Sequence, residues 1–520
     1  MIGMGQLPSI GHAGQPSGVP RRGGTLTMLV EPEPTTLVAL TNSADPTMLV
    51  SGKVSEGLLA YDFDLRPQPQ LATEWSVSDD GLQLTFVLRR GVCWSDGKPF
   101  TSRDVAHSVA LLQKHHPRGR STFANVAEVR TPDDYTAIFI LTRAAPYLLQ
   151  ALAGCESPML PEHIYSQGDE MLAANGAAPI GTGPFVFKEW VRGSHITYER
   201  NPGYWDQPKP YVDRLIVRFI EDPAAKVTAI ETGAVDLAPA TPLPLSEINR
   251  LRGHPDLAFE TNGYQYTNQI VRIEFNLDDS LFADPKARRA VAHAIDRSAL
   301  IECAWLRYGK PATGPISPDL SAFYDPDLRP PIFDPARAER LLDEAGLRRG
   351  PGGVRTRVPL DYVPAGDGYS RTASYIADAL AMIGIEATVR TQDFGAYIRR
   401  IYSDRSFSLT VNRMNNMFDP SVGVQRVYWS KNFRRGVPFS NGSHYVNPEV
   451  DRLLEQAAAE QDVVKRRVDF RRFQETVVSD LPDISLLAPT QITVARKRVL
   501  DHTVTADGAA ASLANAYIQA

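Results

Sequence analysis

Leu82, Leu84, Phe86 and Leu88 alternate with Gln83, Thr85 and Arg89, the two-residue period of a strand with one buried face. Ser95-Asp96-Gly97-Lys98-Pro99 then predicts a tight turn, because these residues accept its backbone angles. Thr101 supplies an N-cap, Asp104 suits a helical first turn, and Val105, Val109 and Leu112 recur at helical spacing. Upstream, residues 24–30 form an apolar strand that breaks at Glu31-Pro32-Glu33-Pro34. Downstream, Tyr135 to Leu141, Phe185 to Val191, Ile196 to Glu199 and Leu215 to Ile220 read as strands, with a forced turn at residues 179–184.

From about residue 271 the pattern changes. Asp284-Pro285, Asp334-Pro335 and Asn447-Pro448 each place an Asx N-cap before a proline at the first helical position. Val291, Ile295, Leu341, Leu342 and Ala345 mark buried helical faces, and Gly346 suits a C-cap. Strands at Val358 to Val363, Ile385 to Arg390 and Phe407 to Val411 alternate with a helix over Tyr369 to Ile383, a mixed α/β arrangement. No internal repeat of short period is visible.

The length of 520 residues exceeds what one core usually serves, so two or more lobes are expected. With 43% hydrophobic and 22% charged residues, a net charge of −5 and scattered Lys and Arg, the chain is ordinary globular material without a nucleic-acid footprint. No apolar run approaches the roughly 18 to 20 residues that span a bilayer. Residues 1–20 are rich in Gly, Pro and Ser, lack the basic and apolar regions of a signal peptide, and read as a flexible lead. Cys93, Cys155 and Cys303 are too few for a disulfide framework; Cys93 with Cys155 is one pairing open to them, three small buried hydrophobes the other reading.

Enzyme signatures fail in turn. Gly181 to Phe185 lacks the third glycine of a dinucleotide fingerprint, Gly97-Lys98 lacks the phosphate-loop glycine upstream, and no nucleophile elbow or zinc-protease helix occurs. His115-His116, beside Pro117, reads as a solvated loop.

The order Asp80-Gly81-Leu82, an alternating strand, Arg89-Arg90, Trp94-Ser95-Asp96-Gly97 and Asp104-Val105 resembles the family 5 extracytoplasmic solute-binding proteins of ABC importers. Gly181-Thr182-Gly183-Pro184-Phe185, Glu199 to Trp205, Phe275-Asn276, Ala290 to Arg297 and Asn447 to Asp451 follow in the family's order, so the resemblance covers roughly residues 23 to 505. It implies an α/β, two-lobed periplasmic-binding-protein fold of class II, cluster C-like, with mixed sheets and a hinge. Residues 1–22 would be the lead, 23–57 with 180–270 and 485–520 lobe I, 58–179 an extra subdomain of lobe I, and 271–484 lobe II. Chain crossings near residues 270 and 485 would form the hinge. The implied partners are a peptide-like, opine or sugar-conjugate solute and a membrane permease. The implied place is the periplasm and the implied state a monomer, with no cofactor, metal or catalytic residue. A sensor serving a signalling partner, or a hydrolase on this scaffold, is the alternative.

Peptide-binding members carry an aspartate for the peptide ammonium three residues before an acid-Pro step, where this chain has Asn416; their tryptophan position is Arg413. An amide compensates a buried ammonium poorly, whereas Arg413 offers a planar fork suited to carboxylate or phosphate. The resemblance thus points to a ligand with an anionic or polyhydroxyl group, not one held by its α-amine on an aspartate; the alternative is that Arg413 pairs with an acid such as Asp419. Asn415 lies in the same segment. Further expected contacts, by position alone, are Glu33, Pro34 and Thr35 after the first strand, Thr241, Arg272 and Gln491. The Asp-Pro common in the loop after the first strand is replaced by Val38-Ala39. Tyr428 and Trp429 read as core.

Overall fold

The computed structural model describes residues 19–519, so most of the expected lead lies outside the described residues. Thr25–Leu29 sits centrally in a seven-stranded sheet, pairing in parallel with Arg214–Arg218 and Leu237–Ala238. The sheet runs through His195–Arg200 to Phe185–Val191 on one side, and through Thr493–Arg496 to Leu257–Glu260 on the other. A second, six-stranded sheet has the order Gly309–Pro311, Asp483–Pro489, Gln269–Phe275, Leu409–Asn415, Thr356–Tyr362, Ile385–Arg390. Gln269–Phe275 and Asp483–Pro489 are buried at every position, as central strands covered on both faces must be.

The chain passes between these sheets twice, through residues 261–268 and 490–492. The first crossing lies just before residue 270. The second follows Pro489, a few residues past the expected crossing near residue 485, because Asp483–Pro489 pairs within lobe II's sheet. Two lobes follow directly from this connectivity, and mixed sheets from the combination of parallel and antiparallel pairs.

Residues 72–141 build a four-stranded antiparallel sheet on lobe I, ordered Ala72–Val77, Gln83–Leu88, Thr136–Leu141, Val126–Asp133. Leu84, Phe86 and Leu88 are buried as the alternation requires, Gly97 turns at φ +88°, and helix Ser102–His115 starts where Thr101 N donates to Asp104 Oδ2 (2.8 Å). His116 departs from expectation: it is buried, and its Nδ1 accepts from Arg118 N. The helices opened by Asx-Pro steps run Pro285–Ala294, Pro335–Glu344 and Pro448–Ala459, each with the Asx side chain accepting a backbone N–H. Strand Leu409–Asn415 begins later and ends later than the pattern of residues 407–411 suggested. All three cysteines are free thiols, with Cys155 buried and Cys93 and Cys303 exposed.

Candidate functional site

The motif Gly181 to Phe185 and the loop Asn201 to Trp205 meet at one buried carboxylate, away from the gap between the lobes. Glu56 is fully buried and accepts from Thr182 Oγ1 (2.9 Å), Tyr204 Oη (2.9 Å) and Trp205 Nε1 (3.0 Å). Burial nevertheless outweighs these bonds and pushes its pKa up to about 7. These motifs hold lobe I together.

The site itself is a cavity of about 160 Å³ bounded by both lobes and both crossings. Lobe I supplies helix Asp45–Ser51 and the loop at Ala240-Thr241; lobe II supplies Trp305, residues 365–369 and Arg413. The crossings contribute Tyr264, Tyr266 and Gln491, and the start of strand Gln269–Phe275 contributes Gln269. Met48, Leu49, Leu243, Leu245 and Trp305 give it an apolar wall, the usual lining of a small-molecule site with a few placed polar groups.

Arg413 points from strand Leu409–Asn415 across the gap, where its Nη2 lies 3.3 Å from Asp45 Oδ2 of the other lobe. Both side chains stay about 30% exposed (29% and 30%). Burial works against the guanidinium charge, but Asp45 and Tyr369 more than offset it and hold the Arg413 pKa above its ordinary value. Tyr369 belongs to helix Asp367–Met382, whose opening residues line the cavity without a side-chain cap. A Cβ on its Gly368 would stand a tight 3.1 Å from the Trp305 ring, and Trp305 in turn donates to Thr372 Oγ1 (2.9 Å).

Thr241 adopts φ +54°, a left-handed conformation rare for a β-branched residue. It is held there by three bonds to the second crossing: its N–H to Ile492 O (2.9 Å), its hydroxyl to Gln491 Oε1 (3.1 Å), and Ile492 N–H to its Oγ1 (2.8 Å). Gln491 donates on to Gln269 Oε1 (3.3 Å). Thr241, Gln491 and Arg413 are therefore brought together.

The other expected contacts are placed elsewhere. Arg272 is buried in a lobe II ion cluster, donating to Asn412 Oδ1, Asp483 Oδ2 and Glu274 Oε2 at 3.0, 2.6 and 3.0 Å. Asn416 is fully buried; its Oδ1 accepts from Ser317 N and its Nδ2 donates to Pro315 O. Asp419 does not pair with Arg413: it receives Arg466 Nη2 on both oxygens (2.9 Å each) and caps the turn at Ser421. Glu33 accepts from Trp190 Nε1 and Gly193 N (2.8 Å each), Pro34 is buried, and Thr35 is exposed and bonded to Asn42. Asn415 stands opposite Gln269 in the ladder, and its side-chain oxygen is buried without a partner.

Sequence reading missed Asp45, the N-terminus of helix Asp367–Met382 and Asp507, which also lines the cavity. The signal for Asp45 was present: the Asp-Pro step absent at Val38-Ala39 occurs further along as Asp45-Pro46 and opens a helix.

Two lobes joined by two crossings, with a cavity of polar and apolar lining between them, define a solute-binding clamp. Residues 66–442 match the model for bacterial extracellular solute-binding proteins, family 5, and the chain belongs to that family. Protein XP55 of Streptomyces lividans is 30% identical over 440 residues, covering 83% of this chain and 78% of XP55. The glutathione-binding protein GsiB of Escherichia coli K12 is 24% identical, covering 87% and 86%. Among solved structures, the binding protein AgaA of A. tumefaciens R10, in complex with agropinic acid, superposes with a TM-score of 0.81 at 25% identity over 96% of this chain and 99% of AgaA. The oligopeptide-binding protein AppA of Bacillus subtilis, holding a nonapeptide, shares the fold with a TM-score of 0.83 at 23% identity over 96% and 100%. Among the described residues no helix is long and apolar enough to cross a membrane.

Proposed function

We propose that the chain captures a small peptide-like, opine-like or acidic conjugate solute between its lobes, outside the cytoplasm, and delivers it to the permease of an ABC importer. The observation that carries this reading is the cavity between the lobes, walled by apolar side chains and provided with Arg413 from one lobe and Asp45 from the other. The names of relatives that bind glutathione, agropinic acid or a peptide support the solute class. A solute touching both lobes favours closure by its difference in affinity for the closed over the open form, and binding of that kind needs no reaction. The chain would work in the periplasm as an exported monomer.

Native mass spectrometry of gently purified protein, compared with its mass after denaturation, tests the proposal. A carried small molecule lost on denaturation is the expected result. Conversion of an added solute to product would overturn it in favour of a hydrolase. A bound solute at about 100 times its dissociation constant adds roughly 2.7 kcal/mol to folding stability, so thermal shift provides the parallel readout.

A further inference from the structure

The charges lining the cavity are nearly all spoken for by the protein. Asp367 receives Arg371 Nη1 from the next turn of its own helix (2.5 Å). Asp507 accepts from Cys155 Sγ (3.6 Å) and lies near the buried Lys53 ammonium. What remains is Asp45 with Arg413: two opposite charges, from opposite lobes, partly exposed to the cavity and 3.3 Å apart, with the Tyr369 side chain also on Arg413.

A solute that enters this space must deal with that pair. A purely anionic solute would take Arg413 and leave the partly exposed Asp45 carboxylate without its partner, a loss that offsets part of the gain. A purely cationic solute would strand Arg413 in the same way. A solute bearing both charges exchanges one ion pair for two and leaves no group unpaired.

From this we infer that Asp45 and Arg413 together form the recognition site for a zwitterionic head, Asp45 receiving an ammonium and Arg413 a carboxylate. The inference rests on the proposed binding function and narrows its solute. Because the two protein charges lie 3.3 Å apart, the solute's own charges sit close together, as on the single carbon of an α-amino-acid head. The termini of an extended peptide do not fit, since each residue adds about 3.3–3.6 Å. One further feature agrees. The wall of Met48, Leu49, Leu243, Leu245 and Trp305 receives the remainder of the molecule. The ammonium partner therefore comes from lobe I, whereas Asn416, in the position expected for it, is turned into lobe II.

The test measures binding of L-leucine, L-phenylalanine and L-glutamate, each beside its N-acetyl and its α-amide derivative, by thermal shift and calorimetry on the full chain. The wild type is expected to bind at least one free amino acid about tenfold or more tighter than either singly charged derivative. Asp45→Asn is expected to weaken the free amino acid while strengthening its N-acetyl derivative; Arg413→Gln is expected to do the reverse, favouring the amide. A pair that only latches the lobes would move the free amino acid and both derivatives together, and that result overturns the inference. So does preference of the wild type for an N-acetyl derivative, or native mass spectrometry that finds a carried solute without an ammonium; both leave the binding function standing. Absence of any carried solute together with absence of any shift would overturn the binding function itself.

Discussion

Buried polar residues in this chain divide into those that stabilise a lobe and those that face the cavity, and the type of residue does not tell them apart. Arg272 and Arg413 both sit on lobe II strands, yet Arg272 is spent on Asp483 and Glu274 while Arg413 reaches the other lobe. Arg413 was legible because a guanidinium stands where an aromatic residue is expected. Its partner was not, because a pair between residues 45 and 413 is made only by tertiary structure. Asn416 was read as a ligand position for its place in the motif, but both ends of its amide hold residues 315–317. Asn416→Asp removes the donor to Pro315 O and sets a carboxylate oxygen against that carbonyl. The expected cost is about 1–3 kcal/mol of stability in urea denaturation, with no new affinity for amines. Glu56 gives a pH-dependent prediction. Its carboxyl pKa is about 7 in the fold against 4.5 ordinarily, so the folded state holds its proton more tightly and Glu56's contribution to stability falls as pH rises from 4.5 to 7. Relative to wild type, Glu56→Gln is therefore expected to gain about 3 kcal/mol across that window and stay level above it, whatever its offset from lost hydrogen bonds. Stability curves at several pH values check this.

Among the elements, those with a strong local start or a clean period were readable: the Asx-Pro helices, the alternating strand Gln83–Leu88 and its turn. Leu409–Asn415 was displaced because its last residues, Asn412, Arg413 and Asn415, are polar; they remain in the ladder because Gln269–Phe275 pairs with them along its full length. Asp483–Pro489 was not read as a strand at all, since an entirely buried strand carries no alternation to mark it. Gly181 and Gly183 looked like a turn signal, but their closer constraint is packing. A Cβ on Gly181 would lie 2.0 Å from Val54 O, and one on Gly183 2.6 Å from the same atom. Gly181→Ala is thus expected to destabilise lobe I by about 1–3 kcal/mol or more, seen as a lower urea midpoint, without altering the relative affinities of different solutes.

Across the whole molecule the lobes meet at a second seam besides the cavity. Met417, Phe418 and Val422 of lobe II pack into the same apolar cluster as Phe123 and Leu148, with the Phe418 ring 4.7 Å from Tyr266. Arg143, just past strand Thr136–Leu141, donates to Glu455 O of lobe II (2.9 Å). Of these residues only Tyr266 lines the cavity; Phe418, Met417, Val422 and Arg143 do not. Removing Phe418's ring lowers the closed fraction, and apparent affinity scales with that fraction. Phe418→Ala is expected to weaken every solute by one common factor, whereas Asp45 and Arg413 variants reorder them; calorimetry with a zwitterion and its amide separates the two behaviours. Choice of cargo and strength of grip are thus written on different surfaces. Substitutions confined to the Phe418 seam would then shift how tightly every solute is held and leave the order of preference among solutes unchanged.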